Sequence, residues 1–130
     1  MSCLFHGSQI KNLVIEAEKE VDLHIEDIFQ HTTIDNLILK NVTLSSENEL
    51  ITNYFDNCNI NKLAIRGNVN IEKFMHVMHD SLRYGENISI KQVDLGSYEE
   101  LIQVRNSKEY IDDLIVILDR LKAKVVIRHG

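Results

Sequence analysis

At 130 residues and 44% hydrophobic, the chain is long enough for one domain with its own core and too short for two. No run approaches the roughly 20 apolar residues of a membrane helix, no basic-then-apolar leader opens the sequence, and Cys3 and Cys58 form neither a disulfide framework nor a metal-ligand spacing. A formal charge of -6 with a pI near 5.4 argues against general phosphate binding, so the expectation is a soluble cytoplasmic protein with no membrane segment.

Residues 1–9 are small or polar apart from Leu4 and Phe5, and are expected to cap the end of the first unit of a repeat. Ile10-Lys11-Asn12-Leu13 opens that unit: an apolar residue, two polar ones, then an apolar-x-apolar strand core at Leu13 and Ile15. The pattern returns as Ile34-Asp35-Asn36-Leu37, as Ile60-Asn61-Lys62-Leu63 and more loosely as Gly85-Glu86-Asn87-Ile88, with Val125 and Ile127 as a fifth core. A period in the twenties is the mark of a repeat architecture. The units are read as 10–33, 34–59, 60–84 and 85–122, closed by a strand within 123–130, all in one domain. Strands are expected near 12–16, 36–42, 61–66, 87–93 and 124–128.

Between the first two strands, Glu18 to Gln30 carries two signals. Val21, Leu23 and Ile25 alternate as in a strand, whereas Val21, Ile25, Ile28 and Phe29 share one face of a helix. The repeat spacing favours the helix. In the second unit Ser46-Glu47-Asn48-Glu49 is a capping box, and Leu50, Ile51, Tyr54, Phe55 and Cys58 follow as a helical stripe. Cys58 reads as a small buried hydrophobe rather than a nucleophile. In the third unit Gly67-Asn68 turns the chain into a helix with Ile71, Phe74, Met75, Met78 and Leu82 on its buried side and Gly85 as C-cap. The fourth unit has a second capping box at Ser97-Tyr98-Glu99-Glu100 and a break at Asn106-Ser107. Ile111, Leu114, Ile115, Leu118 and Leu121 form the apolar face of the last helix, widened by Val116 and Ile117.

Strand-helix units with Leu-x-Leu cores resemble the leucine-rich repeat family. Ile34, Leu37, Leu39, Val42 and Leu44 follow its Leu-x-x-Leu-x-Leu-x-x-Asn-x-Leu pattern, with Val42 in the asparagine place; Ile60, Leu63, Ile65 and Asn68 follow it in the third unit, and Ile88, Ile90, Val93 and Leu95 in the fourth. The resemblance implies an α/β fold: a right-handed βα solenoid with a parallel sheet of about five strands, helices on one face, and a role in binding proteins rather than in catalysis.

Side chains alternate across a strand, so residues between the core positions point away from the helices and form columns on the open face. The expected columns are Asn12, Asn36, Lys62, Asn87, Lys124, then Val14, Ile38, Ala64, Ser89, Val126, then Glu16, Lys40, Arg66, Lys91, Arg128. Val14, Ile38, Lys40, Ala64, Arg66, Lys91, Val126 and Arg128 are accordingly the candidate partner-binding residues, although exposed Lys and Arg on a sheet also serve simply to keep it soluble. His76 and His79, at i and i+3, lack a third ligand of fixed geometry, so no metal and no cofactor is expected. The expected role is a protein-binding scaffold, an adaptor, inhibitor or effector whose partner is another protein or a second copy. Two alternatives are an acidic immunity-type inhibitor of a basic toxin or nuclease, and nucleic-acid binding by the basic column, against which the low pI and few aromatics argue.

Overall fold

The structure, a computed structural model, describes residues 7–23, 28–45, 54–103 and 107–128. Strands β1 (Gln9–Leu23), β2 (Thr33–Leu44), β3 (Asn59–Arg66), β4 (Ser89–Ser97) and β5 (Lys124–Arg128) form one sheet, with helices α1 (Ile71–Tyr84), α2 (Tyr98–Gln103) and α3 (Ser107–Arg120) in the later connections. Every pairing is parallel, and the strands lie side by side in chain order, as the α/β expectation requires.

The register sets homologous positions next to one another. Leu13, Leu37, Leu63, Val93 and Val125 make one row across the sheet. In the inner strands these residues, with Leu39, Ile65 and Leu95, are 0 to 3% exposed. They merge with Ile71, Phe74, Val77 and Met78 of α1 and Ile111, Leu114 and Leu118 of α3 into one apolar cluster. The amphipathic spacing read in both helices is thus largely met by burial: Met75, Leu82, Ile115 and Leu121 are partly buried against the cluster, and Val116 is 54% exposed.

A recurring turn precedes the strands. Gly7, His31, Asn57, Asn87 and Lys122 all have left-handed φ, between 54° and 76°, and each stands two residues ahead of the first residue of β1, β2, β3, β4 or β5. The turns are stitched sideways: Thr33 N–H donates to Ser8 O, Asn59 N–H to Thr32 O and Ser89 N–H to Cys58 O, all at 3.0 Å, and Asn87 Nδ2 donates to Asn57 Oδ1 at 2.9 Å. Farther along, Asn41 bridges three units. Its Nδ2 donates to Ala17 O at 2.8 Å, and its Oδ1 accepts from Asn68 N–H at 2.9 Å. A side-chain amide with both donor and acceptor can satisfy backbone groups on either side, which Val42, one residue later, could not do.

Three expectations are corrected. First, Glu18 to Leu23 continue β1 instead of starting a helix, with a bulge in which the five-residue step from Glu16 to Val21 spans the two-residue step from Lys40 to Val42. The alternation of Val21 and Leu23 was the true signal, because Val42 and Leu44 lie opposite to complete the ladder. Ile28 and Phe29 lie in a buried turn, and Ile25 falls outside the described residues. Second, Tyr54 to Asn57 form a turn. The capping box at 46–49, Leu50 and Ile51 lie outside the described residues, as do Leu4, Phe5 and Asn106. Tyr54, Phe55 and Cys58 are nevertheless fully buried, as the stripe implied, with the Phe29 and Phe55 rings stacked at 5.8 Å.

Third, the fourth strand is displaced. Gly85-Glu86-Asn87-Ile88 resembles the opening of the earlier strands, but the residue aligned with Ile60 is Ile90, so Ile90-Lys91-Gln92-Val93-Asp94-Leu95 is the segment in register with β3. The displacement is five residues, an odd number, so Val93 and Leu95 face the core and Gln92 and Asp94 the other side, while Ile90 is buried as expected. Burial favours it: the observed register leaves Ile90, Val93 and Leu95 at 2, 0 and 2% exposure, with Ile88 partly buried against the same cluster.

Gly85 does cap α1, though in extended conformation (φ -73, ψ 159), its N–H donating to Ser81 O at 3.0 Å. Crowding, not left-handed backbone, requires glycine here, since a Cβ would lie 2.3 Å from Ile88 Cδ1 and 2.4 Å from Ser81 O. Gly85→Ala is therefore expected to lower stability by about 1 to 3 kcal/mol. A reduced urea midpoint with an unchanged m-value is the signature to look for.

The outer sheet face as candidate binding site

Because Leu63 and Val93 enter the core, their neighbours Lys62, Ala64, Gln92 and Asp94 lie on the opposite face. The register gives two full rows there: Asn12, Asn36, Lys62, Gln92, Lys124, and Val14, Ile38, Ala64, Asp94, Val126. The shift of β4 thus replaces Asn87 by Gln92 and Ser89 by Asp94. It also removes Lys91 from the basic column, because Ser97 is the residue paired with Arg128. Lys91 lies instead at the strand entrance, in a shallow cleft with Asp35, Asn61 and Ser89. Of the candidate residues, the sheet face therefore gathers Val14, Ile38, Lys40, Ala64, Arg66, Val126 and Arg128, and not Lys91.

The apolar row is also less open than alternation alone implied. Val14 is 52% exposed, Ile38 and Val126 are half-buried, and Ala64 is buried at 3%. Beside Ala64 on the next strand lies Asp94, itself 3% exposed, at the centre of a charge cluster. Arg66 Nη2 lies 3.2 Å from Asp94 Oδ2, Arg128 Nη1 3.4 Å and Lys62 Nζ 3.7 Å. Arg66 Nη1 reaches Asp94 Oδ1 and Asp94 O, both at 3.2 Å, and Ile65 O at 2.9 Å. The Gly96 N–H donates to Asp94 Oδ1 at 2.8 Å from a left-handed residue (φ 81) that a side chain would strain.

Burial pushes the Asp94 carboxyl up. The hydrogen bonds from Arg66 and Gly96 and the charges of Arg66 and Arg128 outweigh it and hold the group below its ordinary range. A carboxylate that has lost its water needs such partners to stay ionised. Three cations meet one anion here, so the cluster carries a surplus of two positive charges outward. Lys40 and Lys124 add two more and make no ion pair among the described residues, while Glu16 subtracts one. Over these positions five cations less two acids leave +3, with Glu18 lining the same cleft as Glu16 and Lys40, in a chain whose formal charge is -6.

Elsewhere, a cleft between α1 and α3 is lined by His76, His79, Asp113, Val116 and Arg120. His76 Nε2 is 3.9 Å from Glu72 Oε2, and among the described residues no three His, Cys, Asp or Glu side chains are placed to hold a metal. Burial pushes the Cys58 thiol up to about 12, which keeps it protonated and inert, as a core residue should be. No described helix is long and apolar enough to cross a membrane. No protein-family model, curated protein or solved structure matches the chain.

Proposed function

We propose that the chain is a short right-handed βα repeat module of the leucine-rich-repeat kind that binds an acidic surface of another protein through its outer sheet face. The recurring entry turn, the in-order parallel sheet and the bridging Asn41 support the solenoid reading. Parallel strands joined in sequence take right-handed crossovers. The observation that carries the binding reading is the convergence of Lys62, Arg66 and Arg128, from three different strands, on the buried Asp94. Arg66 is held rigidly by Asp94, while Lys62 and Arg128 keep 40 and 59% of their side chains exposed. The cluster thus offers a fixed positive field next to the apolar Val14 and Ile38, a pairing of an anchor with a charged rim that suits protein recognition.

The test is affinity capture from the native host at moderate salt, followed by binding measurements on the captured protein. Ile38→Glu, in the middle of the face, is expected to weaken binding at least tenfold without unfolding the chain, and Val116→Glu on α3 to leave it unchanged. Equal affinity of the Ile38→Glu variant and wild type, or loss only with Val116→Glu, would move the binding surface away from the sheet.

A further inference from the structure

We infer that the molecule also extends its sheet end to end, the β5 edge of one copy pairing with the β1 edge of the next. The junction lies at the sheet edges and shares Val14, Val126 and Arg128 with the outer face, but it does not depend on the reading given for that face. Three observations lead to it. The first is unequal burial along each core row: Leu37, Leu63 and Val93 are fully buried, whereas Leu13 and Ile15 of β1 and Val125 and Ile127 of β5 are only partly so. Among the described residues no strand pairs with the outer edge of either, so both ends of the sheet present backbone donors and acceptors beside incompletely covered apolar side chains.

The second observation is opposite charge. From Lys122 to Arg128 the β5 end carries Lys122, Lys124 and Arg128 and no acid, with Arg128 also paired to Asp94 of β4. The β1 strand carries Glu16, Glu18 and Glu20 against Lys11 and Lys19, its Asp22 being paired with Lys73 of α1. Two β5 edges repel each other, and so do two β1 edges, which disfavours symmetric pairing; only the head-to-tail contact is attractive. The third observation is register. Continuing the ladder across the junction sets Val125 beside Leu13, Val126 beside Val14 and Ile127 beside Ile15, which completes the apolar rows on both faces. The same register sets Arg128 beside Glu16 of the next copy. A contact of this kind does not close on itself, so it builds an open series rather than a dimer.

Sedimentation velocity or light scattering of the full chain across a wide concentration range tests this, with charge exchange as the discriminating step. Glu16→Lys/Glu18→Lys reverses the β1 end, and Lys122→Glu/Lys124→Glu reverses the β5 end; all four side chains are exposed. Wild type is expected to grow in average mass with concentration and without a plateau, and less so at high salt. Each double variant alone is expected to stay monomeric with an unchanged circular dichroism spectrum, and an equimolar mixture of the two to associate again. A wild type that remains monomeric at millimolar concentration overturns the inference. So does a plateau at dimer, or association of either variant alone at the wild-type level.

Discussion

Truncating Leu39 to alanine is expected to destabilise the fold by about 2 to 5 kcal/mol, and Ile65→Ala by a similar amount. Both side chains sit in inner strands at 0 and 3% exposure, within the cluster that joins sheet to helices, and neighbouring groups on two sides limit collapse into the vacated space. Against a typical total of about 5 to 15 kcal/mol, either loss is a large fraction. Lys40→Ala, adjacent to Leu39 but exposed and without an ion pair among the described residues, is expected to stay within about 0.5 kcal/mol of wild type. Urea denaturation of the three variants checks the facing of β2 and β3 directly. Similar midpoints for all three would mean that the strand faces are assigned the wrong way round.

The second large effect is expected at Asp94. Its removal as Asp94→Ala leaves Arg66, with 29% of its side chain exposed, beside two further cations with no anion between them. Breaking a buried ion pair from one side can cost about 3 to 5 kcal/mol. Because Lys62 and Arg128 can turn to water, about 1 to 3 kcal/mol is expected here. The pH dependence has a definite sign. The folded-state pKa of Asp94 lies below its unfolded value of about 3.9, so its contribution is fully present above the unfolded value and drains away as the pH falls through the folded one. Denaturation measured from pH 6 down to pH 2.5 should show a steeper acid loss in wild type than in Asp94→Asn. Parallel curves would show that the cluster contributes no charge-dependent stability.

The first three strands, the fifth strand and the apolar faces of α1 and α3 were legible because each is written in a period that burial enforces: Ile-x-x-Leu-x-Leu for a strand entering the core, and three-to-four spacing for a helix against it. The fourth strand was misread because two overlapping apolar pairs, Ile88 with Ile90 and Val93 with Leu95, both satisfy the local pattern. Only the number of apolar groups buried by the whole sheet chooses between them. The same five-residue error hid the charge cluster. With Lys91 in the column, the open face looked basic along one side beside a partly apolar stripe; with Asp94 in its true place, the face has an acid at its centre that fixes Arg66. The visible signal was a carboxylate flanked by Val93 and Leu95 in mid-strand, a position where an acid is costly unless something pairs with it. The extension of β1 was hidden for another reason: the three extra residues of its bulge break the period on which the reading of the units relied.

The left-handed residues ahead of the strands also determine where the chain can change length. From Gly7 to His31, Asn57, Asn87 and Lys122 the intervals are 24, 26, 30 and 35 residues, yet each of these residues stands two positions before its strand. Chain added after a strand and before the next such turn lengthens a loop, and doubling a loop raises its closure entropy by only about 0.6 kcal/mol. A single residue added between turn and strand would instead reverse every side chain that follows, carrying Leu63 outward and Lys62 inward. Tolerance to insertion is therefore one-sided. The connecting segments can absorb whole helices, as the interval that holds both α2 and α3 does, while the entry turns act as fixed rulers.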